Sequence, residues 1–252
     1  MQVSSWNPWH GCKKISPGCK NCYVYRQDAQ YGAEQASSQF RVTANLKLPL
    51  KRRRDKSYKI PSGTLVSTCF TSDFFLDEAD ESREIAWEII RRRSDLNFMI
   101  FTKRIDRVEA VLPSDWGDGY ENVIIGCTTE NQDRADFRLP IFKSIPIKHR
   151  LIIVAPILEA VDLSAHLDSS IDEVSVGGES GYYARTCDYR WVLNLREQCV
   201  AAGVTFCFHQ TGANFVKDGV RYHIKRALQR SQARKANIDY KFNRETYEPE
   251  RD

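Results

Sequence analysis

Short apolar runs rich in β-branched residues alternate with longer amphipathic stretches along most of this chain. The apolar runs predict seven strands, at 2–6, 65–70, 97–101, 122–127, 150–154, 173–176 and 204–208. The stretches between them predict helices at 21–31, 78–93, 106–111, 132–142 and 188–202. Apolar strands that alternate with helices are typical of βαβ units and a parallel sheet. The predicted fold is therefore α/β, an open or partial barrel with parallel strands. A Rossmann sheet is disfavoured because no GxGxxG follows the first strand.

The length and composition fit one soluble barrel. With 252 residues, of which 42% are apolar and 28% charged, the chain can bury a full core. No stretch approaches the roughly 20 continuous apolar residues of a membrane helix. The N-terminus has neither the basic nor the apolar region of a signal peptide. We therefore expect a cytoplasmic protein without a membrane partner.

Positive charge is concentrated in two segments. The net charge is +4, and Lys and Arg cluster at 51–54 and again at 221–235. Each segment is interpreted either as a solvated loop or tail, or as a surface that meets phosphates. We predict a barrel over 1–215, followed by a basic C-terminal extension over 216–252 that packs on the barrel or trails from it.

Eight cysteines in a reducing compartment do not indicate a disulfide framework. Five of them are interpreted as structural. Four lie in apolar runs: Cys69, Cys127, Cys199 and Cys207. The fifth, Cys187, lies in a loop. The other three, Cys12, Cys19 and Cys22, are crowded into eleven residues. This crowding makes them the candidate metal ligands.

The spacing of these three cysteines is C-x6-C-x2-C. Three thiolates on one loop can bind three irons of a [4Fe–4S] cluster and leave the fourth iron open to a small ligand. Gly11, Pro17 and Gly18 would let the backbone wrap closely around such a cluster. The alternative is a closed Cys3His zinc site that includes His10. The cluster is favoured because a barrel of this size does not need a zinc ion to fold.

Polar residues follow most of the predicted strands. Because the carboxyl ends of parallel strands meet at one rim, we expect these side chains to surround a common site. The candidates are Ser72, Asp73, Lys103, Arg104, Thr128, Glu130, Gly177, Gly178, Glu179, Ser180, His209 and Gln210, with Arg185 added from the loop that follows.

These residues resemble the radical S-adenosyl-L-methionine (SAM) superfamily, whose usual signature has three residues in the first cysteine gap. More closely, the chain is similar to a phage-associated radical SAM family of unassigned function, whose opening is WNP-x-x-GC-x6-C-x2-CY. That opening is met by Trp6-Asn7-Pro8, Gly11-Cys12, Cys19 and Cys22-Tyr23. Later matches are SDF at 72–74, TKR at 102–104, 126–131, VGGESG at 176–181, Arg185 and the His209-Gln210 strand end. The likeness runs from about residue 5 to 215.

The resemblance implies a partial (β/α)6-type radical SAM barrel that holds a [4Fe–4S] cluster and SAM. It implies that the reduced cluster cleaves SAM to methionine and a 5′-deoxyadenosyl radical, which abstracts a substrate hydrogen. A reducing partner such as flavodoxin or ferredoxin would supply the electron. The basic segments and the phage association favour a nucleotide or a thymidine in DNA as substrate, with a small metabolite or a peptide left open. The alternative function is a non-catalytic zinc protein that binds nucleic acid.

Each candidate residue receives an expected role. Cys12, Cys19 and Cys22 are the metal ligands. Cofactor binding is predicted for Ser72, Asp73, Thr128, Glu130, Gly177, Gly178, Glu179 and Ser180, with a helix N-cap as the alternative for the 128–131 run. Catalytic roles are predicted for Lys103, Arg104, Arg185, His209 and Gln210, with surface ion pairs or core packing as the alternatives.

The chain departs from the family at one position. Members similar to this one tend to have Glu-Pro after the fifth strand, where this chain has Ala155-Pro156. A carboxylate is therefore missing there, and Glu159 is the nearby residue that would have to replace it.

Overall fold

A computed structural model describes residues 2–243 of the chain, apart from the side chains of residues 34 and 35. Its strands are β1 (Val3–Trp6), β2 (Trp9–His10), β3 (Arg41–Val42), β4 (Leu65–Thr68), β5 (Asn97–Thr102), β6 (Val123–Thr128), β7 (His149–Val154), β8 (Glu173–Gly177), β9 (Thr186–Asp188), β10 (Thr205–Gln210), β11 (Asn214–Lys217) and β12 (Val220–His223). Its α-helices are α1 (Tyr23–Gln30), α2 (Asp80–Arg92), α3 (Ile105–Val108), α4 (Gln132–Ser144), α5 (Tyr189–Ala201) and α6 (Arg226–Lys235).

Seven strands form one parallel sheet in the order β1-β4-β5-β6-β7-β8-β10, which curls into a half-barrel. Each strand pairs with the next one along the chain that belongs to this sheet, as successive βα units require. The prediction of an α/β partial barrel with parallel strands is confirmed. All seven predicted strands and all five predicted helices are present.

Helix α2 buries one apolar stripe and carries charge at both ends. In α2, Ala86, Ile89 and Ile90 are buried at the spacing of one helical face. Its first turn contains Asp80 and Glu81 and its last turn contains arginines, which is the distribution that the helix dipole favours. No helix within residues 2–243 is both long and apolar enough to cross a membrane.

The C-terminal part of the described chain packs against the barrel. Strand β11 pairs in parallel with β9 and antiparallel with β12, so the expected boundary at 215/216 falls inside a strand. After α6, the backbones of Tyr240 and Phe206 exchange hydrogen bonds of 2.8 and 2.9 Å beside β10. The remainder of the expected extension, 244–252, lies outside the described residues.

Helix α6 is not among the predicted helices. Its sequence, RALQRSQARK, has few apolar residues, and its buried positions are only Gln229 and Ala233. A search for apolar periodicity does not find such a helix, because glutamine and alanine form the buried stripe. The helix packs on β10, the last strand of the sheet.

Candidate functional site

A cavity of about 980 Å³ opens at the carboxyl ends of the parallel strands. Its wall is formed by the cysteine loop and the start of α1, by the residues that follow β4 to β10, and by one face of α6. This volume is near the upper end of the ~300–1,000 Å³ that small-molecule sites occupy. The cavity therefore has room for more than one small ligand.

The three candidate metal ligands all line this cavity. The thiols of Cys12, Cys19 and Cys22 are free and half-buried, whereas four of the other five cysteines are buried. Cys19 ends a short 3-10 helix that begins at Pro17, and Cys22 directly precedes α1. The loop therefore presents three thiols to one space, as its spacing predicts.

A buried carboxylate fixes the middle of the cysteine loop. The Gly18 amide donates a 2.9 Å hydrogen bond to Glu130, 112 residues along the chain. Glu130 is 0% exposed and forms a 2.8 Å ion pair with Arg138, which is 1% exposed. Burial acts to raise the pKa of Glu130, but Arg138, the Ser16 hydroxyl and the Gly18 amide together hold it below its usual value. Glu130 is thus ionised and holds the loop.

Gly11 allows the loop to pass close to a neighbouring segment. Its φ is +92°, and a Cβ at this position would lie 2.0 Å from the Gln39 carbonyl oxygen. Left-handed backbone and lack of space both require glycine here. The Ser72 hydroxyl also donates a hydrogen bond to the Gly11 carbonyl.

We expect Gly11→Ala to lower the free energy of unfolding by roughly 3 kcal/mol, the sum of about 1–2 for left-handed alanine and about 1–3 for overpacking. The matched control is Gly63→Ala, because Gly63 has φ +75° and nothing within 4 Å of its Cβ position. Only the conformational cost should appear in the control. Urea unfolding of both variants measures the difference, and equal losses would show that the contact with Gln39 is unimportant.

Asp73 and Arg104 form a second anchor of the cysteine loop. Asp73 accepts hydrogen bonds from the Thr102 hydroxyl at 2.8 Å and the Lys103 amide at 3.1 Å, and pairs with Arg104 at 3.3 Å. Arg104 in turn donates to the Lys13 carbonyl at 2.8 Å and to Cys12 Sγ at 3.5 Å. These contacts make Asp73 a positioning residue for Arg104.

The groups around the Cys12 thiol have opposite effects on its pKa. Burial and the Asp73 carboxylate raise the pKa of Cys12 to about 12, while the Arg104 guanidinium acts to lower it. Deprotonation of this thiol in the free protein is therefore costly. A positively charged metal centre would remove that cost, since metal binding deprotonates thiols outright.

Glu179 connects the end of β8 to the cysteine loop. Its carboxylate accepts a 2.9 Å hydrogen bond from the Asn21 side chain and three bonds, of 2.9, 3.0 and 2.5 Å, from the amide and guanidinium of Arg185. The Ser180 hydroxyl accepts from Arg26 of α1 at 3.2 Å. Glu179 is thus held by the protein itself, and Arg185 contacts it rather than the cavity.

The two glycines before Glu179 allow close backbone packing. A Cβ at Gly177 would lie 2.4 Å from the His209 ring, and one at Gly178 would lie 2.3 Å from the Thr211 carbonyl oxygen. Gly178 lines the cavity, and its carbonyl accepts a 2.7 Å hydrogen bond from the Gln210 side chain. The glycines therefore bring β8 and β10 together at the cavity wall.

His209 and Lys103 both line the cavity but differ in charge. Burial, with a contribution from Arg230, lowers the pKa of His209 to about 4, so its imidazole is neutral at pH 7. Its Nδ1 lies 3.3 Å from the Ser175 hydroxyl. Lys103 is half-buried, and within residues 2–243 its ammonium has no hydrogen-bond or ion-pair partner. Lys103 is therefore available to an anionic ligand.

The structure brings most of the predicted site residues to one wall. The cavity is lined by Cys12, Cys19, Cys22, Ser72, Asp73, Lys103, Arg104, Thr128, Gly178, Glu179, Ser180, His209 and Gln210. Glu130, Gly177 and Arg185 lie behind this wall and contact the residues that form it. The helix N-cap of the 128–131 run is Asn131, whose side chain accepts from the Arg134 amide at 3.1 Å.

The missing carboxylate after the fifth strand is not replaced. Ala155 and Pro156 line the cavity at this position. Glu159 is exposed and accepts a 2.9 Å hydrogen bond from the Gln132 amide at the start of α4. It caps a helix, so this part of the cavity wall is apolar.

Sequence reasoning missed the wall that α6 provides. Arg226, Gln229 and Arg230 line the cavity, and Phe70 and Phe101 add a stacked pair with ring centroids 5.1 Å apart. A signal for the helix existed, because Arg226 and Arg230 are four residues apart and therefore share one helical face.

The basic segment at 51–54 is mostly engaged within its own loop. Arg52 stacks on the Tyr58 ring with its Cζ 4.0 Å from the ring centroid. Arg53 donates to the carbonyls of Tyr58 and Lys59 at 3.3 and 3.2 Å, and Lys51 donates to Ala44 at 3.2 Å. These contacts favour the structural interpretation of the segment.

The His10 side chain pairs with Asp28 and not with the thiols. Its Nε2 lies 2.8 Å from Asp28 Oδ2, and His10 does not line the cavity. Within residues 2–243, no three His, Cys, Asp or Glu side chains are arranged so that they could hold one metal ion. A cluster makes a different demand, since each thiolate binds its own iron and the thiols need not converge on one point.

One family model matches this chain, described as a protein of unknown function (DUF5131), and the match covers residues 2–247. The chain belongs to the DUF5131 family. Comparisons with curated proteins and with solved structures gave no match. The features of this DUF5131 protein that bear on its function are therefore the residues of the cavity.

Proposed function

We propose that this DUF5131 protein is a radical SAM enzyme. When bound, a [4Fe–4S] cluster and SAM would supply a 5′-deoxyadenosyl radical that abstracts a hydrogen from the substrate. The observation that carries the proposal is the set of three half-buried thiols, from a C-x6-C-x2-C loop, on the wall of a large cavity. The expected reductant is a partner such as flavodoxin or ferredoxin, in a reducing cytoplasm that keeps eight cysteines free.

The donor set and its surroundings fit a cluster with three protein ligands. Thiolates are the ligands that iron–sulfur clusters use, and hydrogen bonds to their sulfurs tune the potential. Arg104 donates to Cys12 Sγ, and Lys13 and Lys14 also line the cavity, so positive charge surrounds the thiols. Glu130 and Asp73 hold the loop from behind.

Other residues of the wall fit an amino acid-like ligand such as SAM. Lys103 is an unpaired cation that would bind a carboxylate. Ser180 and Thr128 line the same wall and carry hydroxyl groups that can donate or accept. Glu179 already accepts four hydrogen bonds from the protein, so its contribution is to fix the position of Ser180 and the cysteine loop.

Aromatic residues would shield the reacting atoms from water. Phe70, Phe101 and Tyr23 line the cavity beside the thiols, and the Tyr23 hydroxyl donates to the Phe70 carbonyl. Trp9 does not take part in this shielding, because it is fully buried against Phe40 and Phe74 and belongs to the core. Exclusion of water protects a reactive intermediate from side reactions.

Anaerobic reconstitution tests the proposal. Purified protein is incubated with iron and sulfide, its iron and sulfide are counted, and 5′-deoxyadenosine is measured after reduction in the presence of SAM. About four irons per chain together with 5′-deoxyadenosine would support the function. A colourless protein that takes up one zinc and forms no 5′-deoxyadenosine would overturn it in favour of the zinc alternative.

A fourth cysteine also lies at the cavity wall and provides a sharper test. Cys69 is buried directly after β4 with a φ of +62°, and lies close enough to Cys12 for Cys12 to contribute to raising the pKa of the Cys69 thiol. An open iron requires that Cys69 is not a ligand. We expect Cys69→Ser to retain about four irons and full 5′-deoxyadenosine formation. Loss of one iron or of the cluster would identify Cys69 as a fourth ligand and contradict SAM binding at the cluster.

A further inference from the structure

We propose that α6 is the substrate-binding wall of the cavity and binds a nucleoside phosphate. Arg226 and Arg230 would hold the phosphate, and Gln229 would accept a hydrogen bond from the nucleoside. This assignment rests on the proposed function for the identity of the substrate site, although the binding itself can be measured without the cluster.

The two arginines form an unpaired cationic surface at the cavity mouth. Arg226 and Arg230 are four residues apart on one face of α6, are exposed, and line the cavity. Within residues 2–243, neither guanidinium has a hydrogen-bond or ion-pair partner, while Arg226 is within electrostatic range of Arg26 of α1. Like charges at this spacing destabilise a helix. An anion bound between them would remove the repulsion.

Gln229 carries an unsatisfied acceptor in the same wall. The residue is 2% exposed and lines the cavity, and its Oε1 has no hydrogen-bond partner. The orientation of the amide is set, because Nε2 donates a 3.0 Å bond to the Ile224 carbonyl. A buried acceptor without a donor costs about 1–3 kcal/mol. A ligand N–H or O–H would satisfy it.

Exposed aromatic rings lie on the loop that follows the cavity-lining residues 178–180. Tyr182 and Tyr183 are 83% and 74% exposed and directly follow the segment that contributes Glu179 and Ser180 to the cavity. Their rings contact each other edge to face, with centroids 5.1 Å apart. Exposed tyrosine rings are surfaces on which nucleobases stack.

The three features together select the class of ligand. Paired guanidiniums recognise phosphate, the Gln229 acceptor requires an N–H or O–H donor, and the tyrosines favour a planar ring. A nucleoside phosphate has all three groups, either as a free nucleotide or within a single strand. The cation assigned to the cofactor is Lys103, which follows β5, whereas α6 packs on β10 at one end of the sheet order.

Binding assays on the double variant Arg226→Gln/Arg230→Gln test the assignment. Fluorescence anisotropy with a short labelled oligothymidylate measures strand binding, and calorimetry compares thymidine 5′-monophosphate with uncharged thymidine. The matched control is Arg234→Gln/Lys235→Gln, which removes the same charge from α6 at exposed positions that do not line the cavity. All four positions are exposed, so the thermal stabilities should agree.

We expect the cavity-facing pair to weaken phosphate-dependent binding about tenfold or more and to reduce the salt slope for the strand by about 1–2. The control pair should change binding less than about twofold, since distant charges are screened. Tighter binding of the strand than of the mononucleotide would identify a nucleic acid as the source of the phosphate, and equal binding a free nucleotide.

Three results would overturn the assignment: equal binding of thymidine and its phosphate, equal losses in both variants, or weakened SAM binding with unchanged nucleotide binding. The iron count and the 5′-deoxyadenosine formed without substrate report on the proposed function separately. If those fail while the nucleotide still binds through α6, the substrate wall stands without radical chemistry. If they succeed while nucleotide binding fails, only the substrate assignment is lost.

Discussion

Cys19→Ala should abolish cluster assembly. We expect the reconstituted iron to fall from about four to below about one per chain, and 5′-deoxyadenosine to fall to the level measured without protein. The reason is that two thiolates cannot hold a cluster that needs three protein ligands and also keep one iron open to SAM. Cys19 lies in the short 3-10 helix of the loop, where its thiol is half-buried and hydrogen-bonds to the Ser16 hydroxyl at 3.8 Å. Truncation to alanine should therefore cost little stability.

The control for this variant is Cys207→Ala. Cys207 is also half-buried, but it lies on β10 and does not line the cavity. Iron content and 5′-deoxyadenosine should be unchanged in the control. Full activity of Cys19→Ala, with the wild-type iron count, would contradict the assigned ligands and with them the proposed chemistry.

Of the substitutions considered, Arg138→Met should lower the free energy of unfolding the most. It removes the ion-pair partner of the buried Glu130 carboxylate, which costs about 3–5 kcal/mol. Methionine fills a similar volume, so the loss reports the missing charge rather than a cavity. Chemical denaturation at pH 7 measures it. Because Glu130 also holds the Gly18 amide, we expect the variant to take up less iron as well.

The ion pair formed by the neighbouring Arg134 provides the control. Arg134 pairs with Asp133, which is 71% exposed, and such surface pairs contribute less than about 1 kcal/mol. Arg134→Met should therefore be nearly neutral. Equal losses in the two variants would contradict the special role of the buried pair.

The pH dependence gives a second test of Arg138→Met. In the wild type the pKa of Glu130 is lowered, so the pair's contribution is present above the unfolded pKa of about 4.3 and is lost as the pH falls through the folded pKa. In the variant, burial would be opposed only by the Ser16 hydroxyl, Lys103 and the Gly18 amide, so the pKa of Glu130 would be higher than in the wild type. The difference in stability should therefore be large at pH 7 and should shrink as the pH falls and Glu130 becomes protonated. A difference that is constant with pH would assign the loss to packing.

The strands and the candidate ligands could be predicted from local sequence. Apolar runs such as 122–127 and 173–176 identify buried strands without knowledge of their neighbours, because both faces of a parallel sheet are covered. Since parallel strands end at one rim, polar residues after several strands were expected to meet, and Asp73, Lys103, Thr128, Ser180 and His209 do line one cavity.

The roles of individual residues at the rim could not be predicted in this way. Glu130 and Arg185 were expected to act at the cofactor or in catalysis, yet both contact the residues that form the wall. A side chain one or two residues after a strand can face the cavity or the layer behind it. Sequence position alone does not distinguish these directions.

By itself, the sequence determined the parallel α/β sheet, the rim and the three crowded cysteines, because each depends on periodicity or on spacing within a short segment. Only the tertiary structure decided how the cysteine loop is held. The Gly18–Glu130, Cys12–Arg104 and Asn21–Glu179 contacts join residues 112, 92 and 158 positions apart. The tertiary structure also placed α6 at the cavity. The buried residues of this helix are a glutamine and an alanine, so its buried face can be recognised only from its packing against β10.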